Sequence, residues 1–275
     1  MFDGRGLTDN TIKLYTSNLK RLNNGVVPTT ATFLKDTEKI QGIIDKYATN
    51  TKKSYYITIV SYVKDKKLPK KTLKFYTDKM MELNQQFREH SGEKTMKQEE
   101  NWMSWPDVLK RYKELDPKSL EHLILSLFVL QPPRRSKDFF LMKIVPKYTE
   151  TMDKAFNYLD WSAMKMYYNN YKTKGAYGTQ TTDVPPELET VLKKHFPLKK
   201  TFDPIFLLEH NKKRLPDNGI TRILNKVFGK NVSVSMLRNI YLTDRFGAAD
   251  KAMDETAEAM GTSKNVLTTV YTKSD

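Results

Sequence analysis

Along the N-terminal third of the chain, apolar positions recur every three or four residues, the period of helices with one buried face. Residues 7–22 place Ile12, Tyr15, Leu19 and Leu22 on one face behind a Thr8 or Asp9 cap. The same period predicts helices over 36–47, 50–63 and 70–88, and Pro69 breaks the pattern before the last of them. Residues 91–101 hold one isolated apolar side chain, Met96, which places a linker at 93–101.

Beyond the linker, Ser104 and Pro106 start a helix. Asp116-Pro117 leads into an apolar helix over 120–130, and Pro132-Pro133 stops it. The period then changes. Met164, Met166 and Tyr168 alternate with Lys165, Tyr167 and Asn169, as in a strand. Gly175-Ala176-Tyr177-Gly178 supplies a turn, and residues 179–184 return as a second strand. Helices follow at 187–195, 217–228, 235–246 and 250–260, with Gly229, Gly247 and Gly261 where C-terminal caps belong. The expected fold class is mainly α with a small β-sheet (α+β). A helical domain over 1–92 and a second domain over 102–275 flank the linker.

Charge narrows the partner. The net charge is +15 over 275 residues, which suits a polyanion. Between Lys46 and Lys79 there are ten Lys against two Asp, with Tyr47, Tyr55, Tyr56 and Tyr62 interleaved. On its own such a run reads as a solvated helix face over core tyrosines. Beside the segments below, it reads as a face that grips DNA phosphates through Lys52, Lys53, Tyr55, Lys66, Lys67, Lys70 and Lys71, with Lys174 adding a contact further on. There are no cysteines, so a disulfide framework and a thiolate metal site are excluded. The longest apolar stretch, Leu123 to Leu130, is too short to span a bilayer. No basic-then-apolar leader pattern opens the sequence. The expectation is a soluble intracellular protein, of cytoplasm or nucleus, with no membrane partner.

Four segments hold residues suited to breaking a phosphodiester without metal or cofactor. That reaction needs a nucleophile, fixed positive donors for the non-bridging oxygens, and an acid for the leaving 5′-oxygen. Arg135 follows the Pro-Pro turn and has Asp138 three residues on; Arg134 competes, but its i+3 residue is Lys137. Lys172 precedes Thr173 near the tip of the predicted hairpin, with Lys174 as its rival. Arg238 closes Ser235-Met236-Leu237-Arg238. Tyr271 closes Met260-Gly261-Thr262-Ser263-Lys264-Asn265-Val266-Leu267-Thr268-Thr269-Val270-Tyr271. Each has a plain reading: a basic surface turn, a lysine at an exposed turn, an amphipathic helix capped by Ser235, and a terminal helix with a buried Tyr.

Taken in chain order, these segments resemble the boxes of the tyrosine recombinases, the phage-integrase family. Arg135-Ser136-Lys137-Asp138 is similar to the first arginine box. Ser235-Met236-Leu237-Arg238 is similar to the His-x-Leu-Arg box, and Met260-Gly261-Thr262-Ser263 to the Leu-Gly-His-Ser turn, with Tyr271 at the family's spacing. Ser235 and Thr262 stand where the family usually has histidine. The resemblance implies a site-specific, integrase-like DNA recombinase of a virus or mobile element. Tyr271 would form a 3′-phosphotyrosyl link, Arg135 and Arg238 would hold the phosphate, Lys172 would act as acid, and Ser235 and Thr262 would assist. It also implies double-stranded DNA as partner and a tetramer assembled on it. Two rivals share these residues: a type IB topoisomerase-like relaxing enzyme and a DNA-binding remnant without catalysis.

Overall fold

The structure, a computed structural model, describes residues 2, 4–90, 92–196, 205–211 and 213–271, with Tyr271 described by its backbone alone. The chain divides into two compact units, Met1–Glu93 and Lys94–Asp275. It is mostly helical with a small mixed sheet.

In the first unit, α1 spans Asp9–Leu22 and Thr8 caps it by accepting from the Thr11 amide. Helix α2 (Thr37–Ile44) is capped by Asp36. Helices α3 (Thr49–Val63) and α4 (Lys70–Glu89) form the main packed pair. Leu19, Leu22, Leu34, Ile40, Ile44, Ile59 and four tyrosines make the core. Buried hydroxyls need partners. Tyr62 donates to the carbonyls of Pro28 and Thr30, and Tyr76 to that of Leu34. The sequence-based assignment of Tyr55 to a DNA face is therefore corrected. Tyr55 is 0% exposed and packs on Tyr47, because it lies on the apolar face of α3 with Ile59 and Tyr62.

In the second unit, the expected linker is itself partly helical: α5 covers Met96–Asn101 and is closed by a capping box between Thr95 and Gln98. Helix α6 (Trp105–Glu114) starts at the predicted Ser104 cap, and α7 (Leu120–Val129) runs through the core. A short α8 (Ser136–Phe140) leads into β1 (Met142–Val145), then β2 (Asn157–Asp160) and β3 (Lys165–Tyr168). The expected tight turn is instead one helical turn, α9 (Lys174–Tyr177), before β4 (Gln180–Asp183). Helix α10 (Pro186–His195) and β5 (Ile205–Phe206) follow, and the sheet order is β4-β3-β2-β1-β5, with β1 and β2 parallel. A separate hairpin pairs β6 (Glu209–His210) with β7 (Lys213–Arg214).

Helix α11 (Gly219–Phe228) ends at Gly229 in the left-handed region. The two last predicted helices are one: α12 runs unbroken over Val234–Ala259. Gly247 does not cap it. Residues on both sides keep helical hydrogen bonding, so the glycine is an interior residue. Beyond Tyr241, Ala257 is the one buried residue of this helix. A 3-residue α13 (Lys264–Val266) and a π-helical turn, Leu267–Tyr271, complete the described chain.

Two predictions follow from this packing. A methyl group at Gly247 would meet Thr243 at an ordinary 3.5 Å, and interior helical glycine costs about 0.5–1 kcal/mol against alanine. Gly247→Ala should slow amide exchange around position 247 by roughly two- to fivefold. No slowing would mean that the helix breaks at this glycine in solution. The second concerns His122 and His195, whose rings lie 6.1 Å apart with Tyr112 stacked on the former. Burial lowers both pKa values; Lys194 adds to the effect at His122, and His122 at His195. Below about pH 6.5 the unfolded chain takes up protons that the folded histidines resist. Stability is thus full above that pH and falls on acidification. The loss of melting temperature from pH 7 to pH 5 should shrink in the His122→Gln/His195→Gln double variant.

Candidate active site

The turn after α7 separates two neighbouring arginines. Arg134 is committed to structure. Its Nε donates to Asp138 Oδ2 at 2.9 Å, a second nitrogen donates to Gln180 Oε1 at 2.8 Å, and its guanidinium lies 3.7 Å over the Tyr168 ring. Asp138 is 3% exposed, and burial raises its pKa even with Arg134 beside it. Arg135 is the N-cap residue of α8. Its guanidinium makes no hydrogen bond or ion pair among the described residues, and it lines a pocket of about 460 Å³.

Arg238 lines the same pocket from the first turns of α12. Its Nε donates to the Pro133 carbonyl at 3.1 Å, a contact between residues 105 positions apart. This bond aims the guanidinium, and its two terminal nitrogens make no hydrogen bond among the described residues. Burial, and next the charge of Arg135, lowers the Arg238 pKa, while Asp138 opposes the shift. An arginine keeps its proton under such a shift. Three arginines face one buried carboxylate here; the pocket's other acid, Asp183, is exposed and pairs with Lys165. The surplus is positive, and the planar forks suit an oxyanion.

Ser235 is exposed in the first turn of α12. It is not the cap: Ser233 accepts from the Met236 amide at 3.2 Å. Lys172 and Lys174 lie exposed in the β3–β4 connection, and neither lines the pocket, although Thr173 between them does. Two buried asparagines fix this connection. Asn157 donates to the carbonyls of Asp138 and Asn170 and accepts from the Asn170 amide at 2.8 Å. Asn169 donates to Phe156 and accepts from Thr179. Polar residues inside short strand patterns are the sequence signal that marks such clamps, and apolar periodicity alone does not register them.

Gly261 and Thr262 have a local explanation. Gly261 is left-handed at φ 61°. Its amide bonds to the Glu258 carbonyl at 3.0 Å, and the Thr262 amide to the Ala257 carbonyl at 2.9 Å. This is a Schellman stop. Thr262 is partly buried there and does not line the pocket. Lys264 then ties α13 back to Asp250 at 2.7 Å and Asp254 at 3.0 Å. The side chain of Tyr271 lies outside the described residues. His210, on β6, does not line the pocket.

The lysines of the first unit differ in availability. Lys52 pairs with Asp45 at 3.1 Å, Lys53 sits 4.2 Å over the Phe87 ring, and Lys66 sits 4.7 Å over Tyr62. Lys67, Lys70 and Lys71 are exposed and unpaired among the described residues, and so is Lys64, which the sequence reading did not single out. They cluster around the α3–α4 turn. Among the described residues no group of three or more side chains could hold a metal ion, and no helix is long and apolar enough to cross a membrane.

Comparison with known proteins yields no match: no family model, no curated protein and no solved structure is similar to the chain.

The two neighbouring arginines should respond oppositely to truncation. Arg134→Ala leaves Asp138 buried without its partner, which costs about 3 kcal/mol or more. Arg135→Ala removes an unpaired side chain and should stay within about 0.5 kcal/mol. Denaturant unfolding of both variants checks this; equal losses would show that the Asp138–Arg134 pair does not support the turn.

Proposed function

We propose that the chain is a DNA-breaking and rejoining enzyme of the tyrosine recombinase type, acting without metal. The observation that carries this reading is the convergence of Arg135 and Arg238, from distant parts of the sequence, on one pocket with guanidinium nitrogens that are unpaired among the described residues. The charge-assisted donors of the two arginine forks, placed around one phosphate, would stabilise the oxygens that gain charge in the transition state. Tyr271 would lose its phenol proton to water as it attacks the phosphorus, and displace the 5′-oxygen, which takes a proton from Lys172 or Lys174. Attack by a 5′-hydroxyl on the phosphotyrosyl ester reverses the step. Lys64, Lys67, Lys70 and Lys71 would hold backbone phosphates, which makes binding salt-dependent. Four protomers on two DNA sites would be needed for exchange between duplexes.

A second reading is a protein that binds DNA without cutting it. The Schellman stop favours it, because the helix end alone explains Gly261 and Thr262. Neither Ser235 nor Thr262 is a base at neutral pH.

Incubation with supercoiled plasmid in EDTA, followed by an SDS trap, separates the two. Wild type should leave protein covalently joined to DNA, Tyr271→Phe none, and Arg238→Ala about 10²–10³-fold less. Equal DNA binding by wild type and Tyr271→Phe with no adduct in either would favour the second reading.

A further inference from the structure

The pocket is larger than one phosphate. Its volume of about 460 Å³ equals roughly fifteen waters at about 30 Å³ each and falls in the range of small-ligand sites. Arg134, Arg135 and Arg238 line it. On the wall stands Tyr177, 69% exposed. Its ring has no aromatic or cationic neighbour among the described residues, unlike Tyr168 and Tyr171, which face Arg134.

The backbone at Tyr177 is fixed although the side chain is exposed. It ends the single turn of α9, where the Gly178 amide bonds to the Lys174 carbonyl at 2.8 Å. Gly178 takes φ 65°, and its own carbonyl accepts from the buried Tyr171 hydroxyl at 2.7 Å. The phenol ring is thus an apolar plane presented on a fixed turn. In the same pocket, Gln180 spends its Oε1 on Arg134 and its amide donors have no partner among the described residues, and Thr173 adds a hydroxyl.

We infer that this pocket binds a whole nucleotide, with the phosphate on Arg135 and Arg238 and the base unstacked against Tyr177. Aromatic rings receive bases of any sequence, since each base has a π-face. A base inside a duplex has both faces covered, so the nucleotide must leave the stack to meet the ring. The substrate class is DNA opened at the bound phosphate. This inference rests on the phosphate site proposed above and goes beyond it by adding the base.

The test compares 2′-deoxyadenosine 5′-monophosphate with 2-deoxyribose 5-phosphate, which differ by the base alone, using NMR titration of the full chain. Wild type should prefer the nucleotide by about tenfold, within the range for one base stacked on an aromatic ring. Tyr177→Phe should keep that preference, and Tyr177→Leu should lose it. Arg238→Ala should weaken both ligands. Equal affinity of wild type for the two would overturn the inference and leave the phosphate site standing. A preference that survives Tyr177→Leu would overturn the role of Tyr177. No binding of either ligand would overturn the phosphate site and this inference with it.

Discussion

Asp138 is a carboxylate taken almost wholly out of water beside a positively charged pocket. Burying a charge is costly unless it is paired. Arg134 provides the pair, and Tyr168 and Gln180 hold Arg134 in turn. That pairing consumes one of two adjacent arginines and leaves the other unpaired at the N-cap of α8. It also sets the place of Arg238, whose Nε is bound to the carbonyl one residue before Arg134. The pocket thus holds one neutralised arginine and two whose terminal nitrogens are unpaired among the described residues.

Much of the fold was legible because helices advertise themselves. The starts at Thr8, Ser104 and Pro69-Lys70, and the stop at Gly229, are local chemistry that tertiary packing did not override. The first two strands were not legible. All four residues of β2 are buried, so Asn157-Tyr158-Leu159-Asp160 shows no alternation to detect. Gly247 misled for a related reason: a glycine that ends one helix and a glycine inside another look alike until the hydrogen bonds are known. In α3 the lysine–tyrosine interleaving suggested one mixed face, but the tyrosines fall on the core side and the lysines around it.

At the candidate site, sequence spacing picked Arg135 over Arg134 because Asp138 stands at i+3. The structure gives a different physical reason. The acid binds the arginine four residues before it, Arg134, and Arg135 is left unpaired among the described residues. The asparagine clamps depend on contacts between residues 13 to 19 positions apart, so local spacing could not reveal them. Gly261-Thr262 teaches the converse. A helix stop and a catalytic turn can share one sequence, and the hydrogen bonds at Glu258 and Ala257 are satisfied under either role.

The account turns on Tyr271 as the nucleophile, and the direct measurement is to locate the covalent bond. Trapped protein–DNA adduct would be digested with nuclease and protease, and the peptide that carries residual nucleotide sequenced by mass spectrometry. The account predicts a nucleotide remnant on Tyr271 through a phosphate ester. A remnant on Ser235, Thr262 or any other side chain would contradict it.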